Sequence, residues 1–468
     1  MDQTNVLVTG GCGFLGTVLI SKLLETKRYS ITAVDINPPS LGSTTFTKTV
    51  RYVRADILDP SALEKVFAEA KPAIVVHTVA ISPTGSARYS MKSSDAVFKI
   101  NVEGTRNVLH ATKECGAKGL VYTSSVTVVL DELDKDFRNV DETWPTGHAS
   151  TIYGQSKAAA EALVLAANTP TFSTCALRSS VIFGPNDAVL IPTIHALIGL
   201  YQTPFILGSA TNLQDFVYVD NVADAHVLAV ANLLNSQTAA GEAMFVTNGE
   251  PVTLRDFCRA VWKEFGHVPR FNVTIPETVA WWVGVAAECV SWMTGVDAGM
   301  SRGIVSDGCR DRYVSINKAR MVLGYRPKVG LAEAVRISCE VSLICCGLKV
   351  VVLILDGSII GRRFRVGMLC REMKKNGDDE LFILSHYAWC DKSSIERPRK
   401  EFRCLHLSKR VPFHIRTLQA CISYISSYRS AYRIFSASSI NLSTWKLLSP
   451  LVNIVSNSPL PFPSSLCT

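Results

Sequence analysis

The glycine-rich turn Thr9-Gly10-Gly11-Cys12-Gly13-Phe14-Leu15-Gly16 lies between the apolar run Val6-Leu7-Val8 and a helical period. A strand that must turn at once into a helix constrains this chain more than any other feature. Gly10 permits the tight turn, Gly13 lets the backbone close on a pyrophosphate at the helix N-terminus, and Gly16 allows close helix packing. Phe14 and Leu15 complete the loop, so residues 10 and 13–16 are candidate cofactor contacts. Asp35 stands 19 residues past Gly16, at the end of Ile31-Thr32-Ala33-Val34. There it can accept hydrogen bonds from adenosine ribose hydroxyls and repel a 2′-phosphate, which favours NAD over NADP. Its other reading is a solvated turn carboxylate, with Asn37 letting the loop adapt. Asp56, followed by Ile57, is placed either to reach the adenine edge or to close an Asx-turn.

The alternation continues through Arg51-Tyr52-Val53, a helix after Pro60, Ala73-Ile74-Val75-Val76, a helix through Asn101 to Thr112, and Leu120-Val121-Tyr122. A helix over about 151–167 and a strand at 174–177 follow. Near-continuous apolar strands separated by helices predict a parallel sheet covered on both faces, a doubly wound α/β (Rossmann) domain over 1–180. Residues 181–340 mix shorter segments and predict a smaller α/β substrate-binding domain, partly interleaved with the first. It should lie over the carboxyl edge of the sheet, where such sheets bind ligands. Within it, 279–296 carries Trp281, Trp282, Trp292 and Met293, with Glu288 as the only charge. That segment reads as a buried helix, or else as a helix dipping into a membrane interface.

The formal charge of +8 does not signal nucleic-acid binding. Residues 341–468 hold 18 Lys and Arg against 8 Asp and Glu, a net +10, which leaves the first 340 at −2. The basic excess therefore sits outside the predicted catalytic part. The 14 cysteines include no C-x-x-C pair or zinc-like spacing, so no metal is expected. No secretory leader precedes the first strand, which predicts reduced thiols and a cytosol-facing catalytic part. The last 128 residues, with 19 serines, form an atypical basic tail. Its stretch 341–360 is apolar enough to suggest a span, although Lys349 and Asp356 interrupt it. Glu340-Val341-Ser342 is compatible with an exon end, so the tail is read as either a membrane-surface anchor or a gene-model artefact.

Tyr153-Gly154-Gln155-Ser156-Lys157 places a phenol and an ammonium one helical turn apart, and a nearby cation lowers a phenol's pKa toward working pH. Ser124 and Ser125 end the fifth strand on the edge that carries the glycine loop, where a hydroxyl can hold a substrate oxygen or cap a turn.

Together these residues resemble the extended short-chain dehydrogenase/reductase family. The fingerprint, the paired serines, Asn101 in Asn-Val-Glu-Gly-Thr and the Tyr-x-x-x-Lys stand in family order. Asp141-Glu142-Thr143-Trp144-Pro145, Leu177-Arg178, Phe183-Gly184-Pro185 and the block 215–223 resemble its 3β-hydroxysteroid dehydrogenase branch. The block 241–251 is similar to the sterol-4α-carboxylate 3-dehydrogenase (decarboxylating) members. The resemblance runs from about residue 4 to Glu340 and departs at Ser179, where Pro is usual, and at His77-Thr78-Val79-Ala80.

It implies an NAD-dependent oxidation of a 3β-hydroxyl on a sterol or steroid-like substrate, with loss of a 4α-carboxylate. In that picture Tyr153 is the base, and Lys157 lowers its pKa and holds the nicotinamide ribose. Ser125 orients the alcohol, with Ser124 as second choice, and Asn101 supports a water relay. The resemblance also implies the endoplasmic reticulum membrane or lipid droplets, otherwise the cytoplasm, and a homodimer. Two alternatives stay open: a dehydrogenase, reductase or epimerase acting on another substrate, and a non-catalytic NAD-binding protein at a membrane.

Overall fold

The structure, a computed structural model, describes residues 3–39, 49–294, 299–347, 366–371, 381–388 and 400–401. The first half runs β1 (Thr4–Thr9), α1 (Phe14–Glu25), β2 (Tyr29–Asp35), β3 (Val50–Arg54), α2 (Pro60–Ala70), β4 (Ile74–His77), α3 (Ser94–Phe98), α4 (Thr105–Glu114) and β5 (Gly119–Ser125). Next come α5 (Thr127–Leu130), β6 (Phe137–Val140), α6 (Ile152–Ala166), β7 (Ser173–Ser179), β8 (Val181–Phe183), α7 (Leu190–Gly199), β9 (Phe205–Leu207), β10 (Leu213–Gln214), β11 (Phe216–Tyr218), α8 (Val219–Leu234) and β12 (Ala243–Val246). The remainder of this part comprises β13 (Val252–Thr253), α9 (Leu254–Glu264), β14 (Val273–Ile275), α10 (Glu277–Thr294), α11 (Arg302–Gly308), β15 (Arg312–Val314), α12 (Asn317–Leu323) and α13 (Leu331–Gly347).

Seven parallel strands form one sheet in the order β12-β7-β5-β4-β1-β2-β3. Alternate residues of β1 enter opposite cores: Val6 and Val8 pack with α1 and α8 residues such as Leu19 and Val222, while Leu7 packs with Leu63, Phe67 and Val108. Burial on both faces is what the continuous apolar runs require. The strand order reverses between β1 and β4, so the crevice beyond their carboxyl ends is where a ligand belongs.

The division at 180 is crossed twice. The α8 helix packs on α1, and β12 adds to the main sheet beside β7 with Met244 opposite Leu177. The other strands form a mixed sheet, β13-β10-β15-β6, and two pairs, β8 with β11 and β9 with β14.

The buried-helix reading of 279–296 is overturned. In α10 only Ala280 and Gly284 are buried, while Trp282, Trp292 and Met293 are 67%, 84% and 68% exposed. The inner side is narrow because the chain at Ser301 and Arg302 lies against Gly284, where a Cβ would meet the Arg302 amide at 2.8 Å.

Glu340–Pro450 makes a second compact unit. In it β16 (Val366–Arg371) pairs antiparallel with β17 (Leu381–Ala388), and β17 with β18 (Lys400–Glu401). Of the suggested span 341–360, only 341–347 is described, inside α13; the rest lies outside the described residues. Among the described residues no helix is long and apolar enough to cross a membrane.

Candidate active site

The glycine turn forms a cradle made of backbone. Gly10 has φ +71°, a left-handed conformation that costs little without a Cβ, and its carbonyl accepts the Gly13 amide at 3.0 Å. A Cβ at Gly16 would run into that same carbonyl oxygen. No side chain caps α1 at Gly13, which suits a helix N-terminus that receives an anion. Asp35 accepts the Cys12 amide at 2.9 Å on one oxygen and the Asn37 amide at 3.0 Å on the other, which fixes its carboxylate beside the turn. Burial and that carboxylate push the Cys12 thiol up to about 12, so it stays protonated.

The remaining cofactor candidates contribute less directly. Leu15 is buried and Phe14 packs against the same core, so only their backbone belongs to the cradle. Asp56 is exposed and accepts the Leu58 amide at 2.9 Å, the Asx-turn of the two readings. Ile57 is buried against Gly104, where a Cβ would collide with its side chain. These residues fit a dinucleotide: a turn without side chains, an open helix end and an aimed carboxylate.

Tyr153 and Lys157 rise from the first turns of α6, whose Thr151 cap accepts the Gly154 amide at 3.2 Å. Tyr153 is half-buried, and the Ser125 hydroxyl at the end of β5 is near enough to its phenol to favour the phenolate. The Ser125 hydroxyl oxygen also accepts from the Thr127 amide at 3.2 Å and the Thr127 hydroxyl at 2.9 Å. Ser124, one residue back, donates instead to Glu161 Oε2 at 2.6 Å. Glu161 is itself clamped by Arg178, Nη2 to Oε1 at 2.7 Å, and both are buried. Alternation along β5 thus separates the two serines, leaving Ser125 with the phenol.

Lys157 is almost wholly buried. Its Nζ donates to the Thr123 carbonyl at 2.6 Å and lies 4.1 Å from the centre of the Tyr122 ring. Burial lowers its pKa to about 7, with Glu161 opposing the shift. Burial raises the Tyr153 phenol, and the forces that pull it down are the Arg88 charge and the Ser125 hydrogen bond; Asp131 pushes it up. Arg88 is thus a further cation that bears on the phenol, one the Tyr-Lys spacing did not point to. Thr123 is held in turn by His226, whose Nε2 accepts its hydroxyl at 2.7 Å while Nδ1 donates to the Val222 carbonyl at 2.8 Å.

Asn101 occupies a π-helical turn, Lys99–Gly104, between α3 and α4. Its Oδ1 accepts the Ile81 amide at 2.8 Å, and its Nδ2 donates to the Ile81 carbonyl at 3.0 Å and the Ser156 hydroxyl at 2.9 Å. With both amide protons and one lone pair of Oδ1 engaged, Asn101 clamps the loop after β4 to α6. Sequence reasoning missed Arg88, Asp131, Asp307 and Arg312, which stand at no motif spacing and meet only in the folded chain.

A backbone cradle for a dinucleotide, with a serine ending a strand of the same sheet and a tyrosine and lysine on the helix beside it, defines an NAD(P)-dependent oxidoreductase of the short-chain type. The chain belongs to the 3-beta hydroxysteroid dehydrogenase/isomerase family, which it matches over residues 7–276. It is 37% identical over 338 residues to the sterol-4-alpha-carboxylate 3-dehydrogenase, decarboxylating, of Schizosaccharomyces pombe, covering 72% of this chain and 96% of that one. The protein of the same description from Saccharomyces cerevisiae is 38% identical over 342 residues, 71% of this chain and 95% of its own. Among solved structures, Thermus thermophilus UDP-glucose 4-epimerase in complex with NAD superposes with a TM-score of 0.55 at 24% identity. That match covers 72% of this chain and 98% of the epimerase, and it shows the shared fold.

Proposed function

We propose that the protein oxidises the 3β-hydroxyl of a sterol bearing a 4α-carboxylate, using NAD, and that the resulting 3-keto acid loses carbon dioxide. The observation that carries this reading is the placement of Ser125, at the end of β5, and Tyr153, in the first turn of α6, at the sheet edge shared with the glycine cradle. The described activity of the two yeast relatives supports the substrate class.

The cradle at Gly10, Gly13 and Gly16, with Asp35, would hold NAD, whose nicotinamide supplies the hydride acceptor. Tyr153 as phenolate takes the hydroxyl proton while the hydrogen on C3 leaves with its electron pair. Ser125 donates a hydrogen bond to the oxygen that becomes the carbonyl. One alcohol and one NAD give one ketone, one NADH and one proton. The bond from C4 to the carboxyl carbon then breaks, its electron pair passes toward the C3 carbonyl as an enolate, and C4 is reprotonated. No residue dedicated to decarboxylation is needed.

Asp35 beside the turn favours NAD over NADP, because a 2′-phosphate would meet its charge. The exposed apolar face of α10 supports contact with a lipid surface, and hence an address on the endoplasmic reticulum or a lipid droplet.

The test is to give the full chain NAD and a 4α-carboxy-3β-hydroxysterol. NADH and carbon dioxide should appear in equal amounts, and neither with Tyr153→Phe. NADH alone would reduce the reading to a 3β-dehydrogenase. Substrate inversion without net NADH would mark an epimerase.

A further inference from the structure

The hydrogen bonds that lead away from Lys157 end in the other half of the protein. Its Nζ donates to the Thr123 carbonyl at 2.6 Å, and the Thr123 hydroxyl donates to His226 Nε2 at 2.7 Å. His226 Nδ1 donates to the Val222 carbonyl at 2.8 Å, one turn back along α8. A carbonyl only accepts, so Nδ1 carries the ring proton and Nε2 keeps a lone pair for Thr123. Burial lowers the imidazole to a pKa of about 4, so it stays neutral through the neutral range and that lone pair is always available.

Thr123 sits where such a hold is useful. The ladder between β4 and β5 stops at His77 opposite Tyr122, one residue short of Thr123, which then pairs only with Leu177 of β7. Its side chain lies on the face of the sheet that α8 covers, and His226 is fully buried there. Lys157 comes from α6 on the opposite face, with its ammonium over the Tyr122 ring. The same α8 is fastened to α1: Asp220 pairs with Lys22 at 3.1 Å, and Val222 packs with Leu19. Because α1 begins at the glycine cradle, one helix is tied to the cradle and, through His226 and Thr123, to the catalytic lysine.

We propose that His226 is a positioning residue of this site: by holding Thr123 it fixes the carbonyl on which the Lys157 ammonium rests, and so sets where the nicotinamide ribose is held relative to the cradle. The imidazole acts only through Thr123. The inference rests on the functional reading above in one respect, that NAD occupies the cradle and meets Lys157, and it does not depend on the sterol.

The test compares the Kd for NAD with the Kd for ADP, which lacks the nicotinamide ribose, in the full chain. His226→Asn reaches only the place of Nδ1 and loses the bond to Thr123. It should weaken NAD by about tenfold, the worth of one buried hydrogen bond, and leave ADP within about twofold. His226→Gln brings an amide oxygen to the place of Nε2 and should keep both affinities within about twofold of the unmodified protein. Thr123→Val keeps the shape, removes the hydroxyl and should match His226→Asn. The two changes together should lose no more than either alone, because they break one bond.

Unchanged NAD affinity in His226→Asn, equal losses for NAD and ADP, or a His226→Gln as weak as His226→Asn would overturn the proposal and leave His226 a core group. Thr123→Val decides the matter in the same way if His226→Asn does not fold. None of these measurements needs a sterol. If the unmodified chain binds NAD but does not oxidise the 4α-carboxy sterol, the functional reading fails on its substrate while the affinity ratios still decide this inference. If it binds no NAD, both fall.

Discussion

The two sides of Tyr153 are built from different materials. The nucleotide side is backbone: a left-handed glycine, a carbonyl packed against Gly16, an uncapped helix end and one carboxylate held by two amides. The other side is side chain: two arginines and two aspartates from three stretches of the sequence, with Tyr89 hydrogen-bonded to Asp307. Backbone geometry permits few residues, so it specifies one cofactor class. A cluster of charges can be re-paired by single substitutions, so specificity is adjusted there.

The largest effect should come from the group between the two sides. Tyr153→Phe should lower kcat by a factor on the order of 10² to 10⁴ while the Kd for NAD stays within about twofold. A parallel loss of NAD binding would show that the two sides are not independent. Ser125→Ala should lower kcat by about 100-fold, as for loss of a donor to a developing oxyanion. Ser124→Ala should leave kcat nearly intact and lower stability by about 1–3 kcal/mol, because Glu161 loses a buried partner. Urea midpoints beside kcat separate the neighbours, and matching kinetic losses would break the assignment. On the nucleotide side, Asp35→Ser should shift the ratio of NAD to NADP affinity by about tenfold toward NADP, read by titration with each cofactor.

A further effect, on stability and not on turnover, concerns Lys157, the hinge of the comparison. Its ammonium is unfavourable in the cofactor-free protein, with a pKa near 7 against about 10.4 in an unfolded chain. Between those values the unfolded state binds the extra proton, so this residue makes stability rise with pH from about 7 to 10 and adds no slope below that window. Lys157→Met should remove that part of the slope. Urea midpoints of both proteins across the window check it; identical slopes would mean the ammonium finds solvent.

The contrast also explains what could be read from the sequence. Gly10 to Gly16, Asp35 and the Tyr153–Lys157 pair lie close along the chain, where one turn or one helix face fixes their relation. The choice of Ser125 over Ser124 depends on which face of β5 meets α6, and the structure places Glu161 and Arg178 behind Ser124. Arg88 joins Asp307 across more than 200 residues, a pairing no local pattern encodes. The error on α10 has a different origin. A nearly uncharged, aromatic helix suggests burial, yet only Ala280 and Gly284 of it are buried, leaving Trp282, Trp292 and Met293 exposed. Placement of β12 in the main sheet was likewise hidden, because the intervening chain passes through the small elements before returning to β7.

That return has an evolutionary consequence. Because α8 covers α1 and β12 completes the sheet, a substrate half cut at residue 180 cannot be exchanged between relatives as a cassette. Such a chimera would inherit mismatched core surfaces on both sides of the junction. New substrates can be acquired more cheaply by grafting the short turn at 85–89 together with the α10–α11 segment it docks on, which leaves the inherited sheet untouched.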